Sequence, residues 1–107
     1  MNDILHTLYQ VVLDRKANPQ EGSYTCYLFD QGIDKICKKV GEESAETIIA
    51  AKNGVQADTV GEISDLIYHL MVLMANEGIP LEAVLEELER RSAKIGNLKQ
   101  MRQTDKE

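Results

Sequence analysis

The chain has 107 residues with 18 acidic and 12 basic side chains, a formal net charge of -6. That length makes one small domain with one core, and the acidic balance excludes a protein whose affinity comes from coating nucleic-acid phosphates with Lys and Arg. Hydrophobic residues reach 43% but aromatic ones only 5%, with no Trp and a single Phe at Phe29, so the core is expected to be aliphatic.

Taken in chain order, Asn2 or Asp3 can cap a first helix with an apolar stripe of Ile4, Leu5, Leu8, Val11 and Val12, ended by Asn18-Pro19. Residues 19–30 carry turn formers and then β-prone side chains without a helical stripe, which reads as a loop. A second helix is predicted from about Gly32 to Asn53, with Ile33, Ile36, Cys37 and Val40 on one face and Gly54 as terminator. Gly41 lies inside it at a cost in helix propensity. A third helix is predicted from about Thr59 to Glu77. Its stretch Leu66 to Ala75 is apolar nearly all round apart from His69, more than one small chain can cover, which points to burial against another subunit. Pro80 opens a fourth helix with Leu81, Val84, Leu85, Leu88 and Ile95 on one stripe, stopped by Gly96-Asn97. Leu98 to Glu107 is polar and charged, and is expected to be a mobile tail of the single domain.

The longest unbroken apolar run, Leu70 to Ala75, is far short of a membrane span, and the opening Met1-Asn2-Asp3 lacks the features of a secretory signal. A cytoplasmic chain is expected. Cys26 and Cys37 form no zinc motif and read as reduced packing residues. Charge is segregated: residues 41–89 hold eleven acids against Lys52, whereas residues 90–107 hold two acids and six bases.

The acidic middle contains the chemistry. At 100° per residue, Glu42, Glu43 and Glu46 fall within a sector about 100° wide, and Glu43 lies within about 20° of the Ile36 direction, where a Leu would be expected. On the third helix Glu62, Asp65 and His69 share a face at spacings of three and four. Four inward carboxylates, Glu43, Glu46, Glu62 and Asp65, would repel one another and take up protons unless a divalent cation sat among them. Oxygen ligands from two helices, with room for water and phosphate oxygens, suit Mg²⁺ or Mn²⁺ better than zinc. Two plainer readings stand beside this one. Thr59-Val60-Gly61-Glu62 has the form of a capping box, and Glu42 and Glu43 follow Lys38 and Lys39 by four residues, as surface ion pairs do. His69 can be a ligand, a partner to a carboxylate, or a core imidazole bonded to backbone. No P-loop, dinucleotide fingerprint or nucleophile elbow is present.

Gly41-Glu42-Glu43-Ser44-Ala45-Glu46 followed by Glu62-Ile63-Ser64-Asp65 resembles the Glu-Glu-x-x-Glu and Glu-x-x-Asp signature of the all-α nucleotide pyrophosphohydrolases. Gly22-Ser23-Tyr24-Thr25, Asp34-Lys35-Ile36, Lys38-Lys39-Val40 and Asp65-Leu66-Ile67-Tyr68-His69-Leu70 extend the likeness to the phosphoribosyl-ATP pyrophosphatases, over about residues 4 to 91. The resemblance implies an all-α subunit of four to five helices in a bundle-like arrangement, assembled as a homodimer. It implies hydrolysis of phosphoribosyl-ATP to phosphoribosyl-AMP and pyrophosphate, the second step of histidine biosynthesis, without the cyclohydrolase fused to this domain in many organisms. Glu43, Glu46, Glu62 and Asp65 would hold Mg²⁺, which answers the mismatch between an acidic chain and an anionic substrate. Glu42 is the candidate to orient or deprotonate the attacking water, and Lys38 and Lys39 are candidates for phosphate contact. Ser23, Tyr24 and Thr25 are expected to border the substrate. The competing readings are a housecleaning enzyme of the same superfamily acting on free nucleoside triphosphates, and a non-enzymatic helical interaction module.

Overall fold

Glycines at positive φ set the boundaries of the central helices. In the computed structural model, which describes residues 3–93 and 102–106, Gly32 at φ 89° breaks the chain between α2 (Tyr24–Gln31) and α3 (Ile33–Asn53), and Gly54 at φ 79° ends α3. Around them lie α1 (Ile4–Ala17), α4 (Gln56–Asn76) and α5 (Leu81–Ser92), and no strand occurs among the described residues. Gln103–Lys106 form one short 3₁₀ turn. The expected stripe residue Ile95, the stop at Gly96-Asn97, and residues 98–101 and 107 of the predicted tail lie outside the described residues.

The expected loop 19–30 is corrected: its second half is α2. Ser23 supplies the N-cap, its Oγ accepting from the Cys26 N–H at 3.2 Å. Leu28 is fully buried from this helix. The third predicted helix also begins earlier, at Gln56, with Val55 as its flanking residue. Thr59 is therefore inside α4, its Oγ1 directed back to the Val55 carbonyl, and Thr59 to Glu62 forms no capping box.

α3 and α4, joined by two residues, pack antiparallel along their length, and α1 and α2 close over them. The core comprises Val12, Leu28, Ile36 and Val72 at 1% exposure or less, with Tyr9, Met71, Ala75 and Leu81 around them. Each fully buried aliphatic side chain contributes roughly 1.5–3 kcal/mol. Of its predicted stripe, α1 buries Val12 and packs Leu8 against the core, while Ile4, Leu5 and Val11 stay exposed; Tyr9 joins the buried face, its hydroxyl donating to the Ile79 carbonyl. Asp3 sits at the N-cap position of α1, but its carboxylate bonds His6 instead of the helix backbone.

Candidate active site

Antiparallel pairing brings the middle of α3 against the first half of α4, and this register assembles the carboxylates. One oxygen each from Glu43, Glu62 and Asp65 lie within 4.8 Å of one another. Glu46 joins them, because it faces Glu62 closely enough to act on its protonation and lines the same cleft of about 410 Å³ with Glu62 and Asp65. Of the four carboxylates expected to point inward, Glu43 alone is buried, at 6% exposure, as its alignment with Ile36 requires; Glu62 is half-buried, and Glu46 and Asp65 are exposed at the mouth of the cleft. The Oε2 of Glu43 has no hydrogen-bond partner, and neither has the buried Oε2 of Glu62.

A buried acceptor without a partner costs about 1–3 kcal/mol, and more when it is charged. Two such acceptors on different helices, beside Asp65, leave an excess of negative charge that the Lys39 ammonium at the rim offsets only in part. The Glu62 carboxyl is pushed up to about 7, first by burial and then by Glu46 and Glu43 beside it. All the converging donors are hard oxygens, which fits a divalent cation such as Mg²⁺ and excludes a thiolate-rich zinc site.

At the rim of the cluster, Lys39 reaches Glu42 at 3.2 Å and Glu43 at 3.7 Å, and Lys38 lies 3.9 Å from Glu42. The ion pairing anticipated from the lysine spacing is present, and it coexists with the carboxylate cluster. The hydrogen bond from Lys39 holds the Glu42 carboxyl below its usual range, and the same contact raises the Lys39 ammonium.

The Ser23 hydroxyl is engaged as the α2 cap, and Thr25 Oγ1 is bonded to the Tyr68 hydroxyl. Tyr24 is 46% exposed, stacks on Tyr27 at 6.1 Å, and lies near enough to Lys39 to act on its charge. With Ser23 and Tyr27 it lines a second cleft of about 640 Å³. His69 is a buried imidazole bonded to the Asp65 carbonyl and to Tyr24. Sequence reasoning gave no role to Tyr27 or Tyr68; for Tyr27 the available signal was Ser23 as a cap with Gly32 eight residues beyond Tyr24.

Fold and site together define a class: an all-α protein whose polar centre is made of carboxylates from two antiparallel helices. Comparison with known proteins narrows it. The phosphoribosyl-ATP pyrophosphohydrolase family profile matches residues 5–92, and the chain belongs to that family. It is 55% identical over 101 residues to a phosphoribosyl-ATP pyrophosphatase of Clostridium acetobutylicum, covering 94% of this chain and 92% of the relative. It is 58% identical over 92 residues to one of Pelotomaculum thermopropionicum, covering 86% and 94%. A histidine biosynthesis bifunctional protein of Thermoanaerobacter pseudethanolicus is 61% identical over 84 residues, which is 78% of this chain and 39% of that one.

Proposed function

We propose that this chain is a hydrolase that converts phosphoribosyl-ATP to phosphoribosyl-AMP and pyrophosphate in histidine biosynthesis, and we place that reaction in the cytoplasm. The observation that carries the reading is the convergence of Glu43, Glu62 and Asp65 with two unpartnered buried oxygens, in a chain of the phosphoribosyl-ATP pyrophosphohydrolase family. Glu43, Glu46, Glu62 and Asp65 would hold Mg²⁺ or Mn²⁺. Such an ion supplies Lewis acidity and screens the polyphosphate charge that this acidic face would otherwise repel.

The remaining roles fall to side chains around the cluster. In hydrolysis a water oxygen bonds to one phosphorus of the anhydride, that phosphorus loses its bond to the bridging oxygen, phosphoribosyl-AMP and pyrophosphate separate, and the water's proton passes to solvent. Glu42, ionised by its contact with Lys39, accepts a hydrogen bond from the attacking water and orients it; its lowered pKa suits orientation better than strong general-base catalysis. Lys39 and Lys38 contact phosphate oxygens at the rim. Tyr24 forms the wall next to the substrate, and Ser23 and Thr25 border that wall and hold α2 in place.

The functional unit in this reading is a homodimer. Val60, Ile63, Ile67 and Leu70 stand on α4 at spacings of three and four with exposures of 55%, 42%, 37% and 39%. A continuous apolar stripe of this kind is suited to a second copy.

Pyrophosphate release from phosphoribosyl-ATP, ATP and a deoxynucleoside triphosphate, each with Mg²⁺ and with EDTA, tests the proposal. Release confined to phosphoribosyl-ATP with Mg²⁺ is expected. Equal or faster turnover of the free triphosphates contradicts the substrate, and undiminished release in EDTA contradicts the cation.

A further inference from the structure

His69 is a buried titratable side chain that the chemistry above leaves unused. It is 4% exposed and lies one helical turn beyond Asp65 on α4. Its Nδ1 is 2.7 Å from the Asp65 carbonyl oxygen, and since a carbonyl only accepts, Nδ1 carries the hydrogen. An imidazole with its hydrogen on Nδ1 presents a lone pair at Nε2, and the Tyr24 hydroxyl, 3.1 Å away, donates to it. The rings of Tyr24 and Tyr68 meet the imidazole edge-on, with centroids 5.8 Å and 4.9 Å away. With both nitrogens bonded and two aromatic edges against it, the imidazole has one orientation.

This fixed ring joins two parts of the molecule that need a common register. On one side is the backbone of Asp65, whose carboxylate belongs to the cluster. On the other is Tyr24, at the start of an eight-residue helix, exposed and stacked on Tyr27. We propose that His69 is a positioning residue, which by accepting from Tyr24 holds that aromatic wall at a fixed place relative to the α3–α4 carboxylates, so that the nucleotide part of the substrate packs there while its polyphosphate reaches the cluster. The inference rests on the phosphoribosyl-ATP reading and adds the residue that aligns the substrate's two ends.

The test compares wild type, Tyr24→Phe, His69→Leu and the double variant in steady-state turnover of phosphoribosyl-ATP, together with imidazole nitrogen NMR of wild type and Tyr24→Phe. Each single substitution is expected to raise KM roughly three- to tenfold, as for loss of one neutral hydrogen bond, with kcat changed less than about twofold. The double variant is expected to be no worse than His69→Leu, because both remove the same link. The wild-type spectrum should show a protonated Nδ1 and a bare Nε2, with the Nε2 resonance moving in Tyr24→Phe. Multiplying KM effects, or a loss confined to kcat, overturns the inference. Should His69→Leu fail to fold, Tyr24→Phe decides by itself: an unchanged KM or an unmoved Nε2 overturns the link. A wild type that leaves phosphoribosyl-ATP intact overturns the functional reading instead, and the Nε2 resonance still judges the tie.

Discussion

Glu62 gives the cluster a signature that needs no substrate. Its folded pKa of about 7 stands above the ordinary carboxyl value of 4.5 because burial removes water and Glu46 and Glu43 face it. Between those two values the folded chain keeps a proton that the unfolded chain has lost, so its contribution to stability falls as pH rises through that window. In EDTA, the melting temperature of wild type should therefore decline from pH 4.5 to 7 more steeply than that of Glu62→Gln. Parallel pH profiles for the two proteins would contradict the assignment. At this scale the sequence revealed Glu43 as an inward residue, since a helical wheel aligns it with Ile36 regardless of tertiary detail. It misrepresented Glu62 as a possible cap, because Thr59-x-x-Glu62 is a local pattern and the true start of α4 lies at Gln56. The link from Tyr24 to His69 spans 45 positions and leaves no local trace.

Among the elements, α2 shows why a short helix escapes notice in sequence. Tyr24, Thr25, Cys26, Tyr27 and Phe29 are poor or indifferent helix formers, and the segment is helical because Leu28 is buried and Ser23 caps it. Ser23→Ala should cost about 1 kcal/mol, read as a melting temperature lower by about 5 °C, whereas Ser23→Gly should cost only a few tenths. α3 carries the opposite defect, a glycine in its interior. A Cβ built at Gly41 meets nothing within 4 Å, so Gly41→Ala should stabilise the fold by about 0.5–1 kcal/mol in a denaturant titration. α3 and α4 were legible because their apolar positions keep the helical period over 21 residues each. The buried face of α1 was legible in part: Val12 and Leu8 of the expected stripe face the core, whereas Tyr9, tied to the Ile79 carbonyl 70 positions away, leaves no local trace.

The whole subunit is too small to cover its longest apolar helix. The stripe Val60, Ile63, Ile67 and Leu70 remains exposed after α1, α2 and α3 have packed, as the composition of Leu66 to Ala75 led one to expect for part of that surface. Light scattering at micromolar concentration should give twice the chain mass for wild type and a single chain mass for Ile63→Glu. A monomeric wild type would contradict the homodimer.

The claim that four carboxylates are held in place for a divalent cation is tested most directly by melting wild type, Glu46→Gln and Asp65→Asn with EDTA and with Mg²⁺. An amide of nearly equal shape removes like-charge repulsion from a cluster that is strained without its ion, so both variants should be as stable as wild type in EDTA, or stabler. Turnover should fall about 100-fold or more in each. Mg²⁺ should raise the melting temperature of wild type well beyond that of either variant, because an ion stabilises only the folded state that binds it. Equal Mg²⁺ shifts in all three proteins would contradict the site.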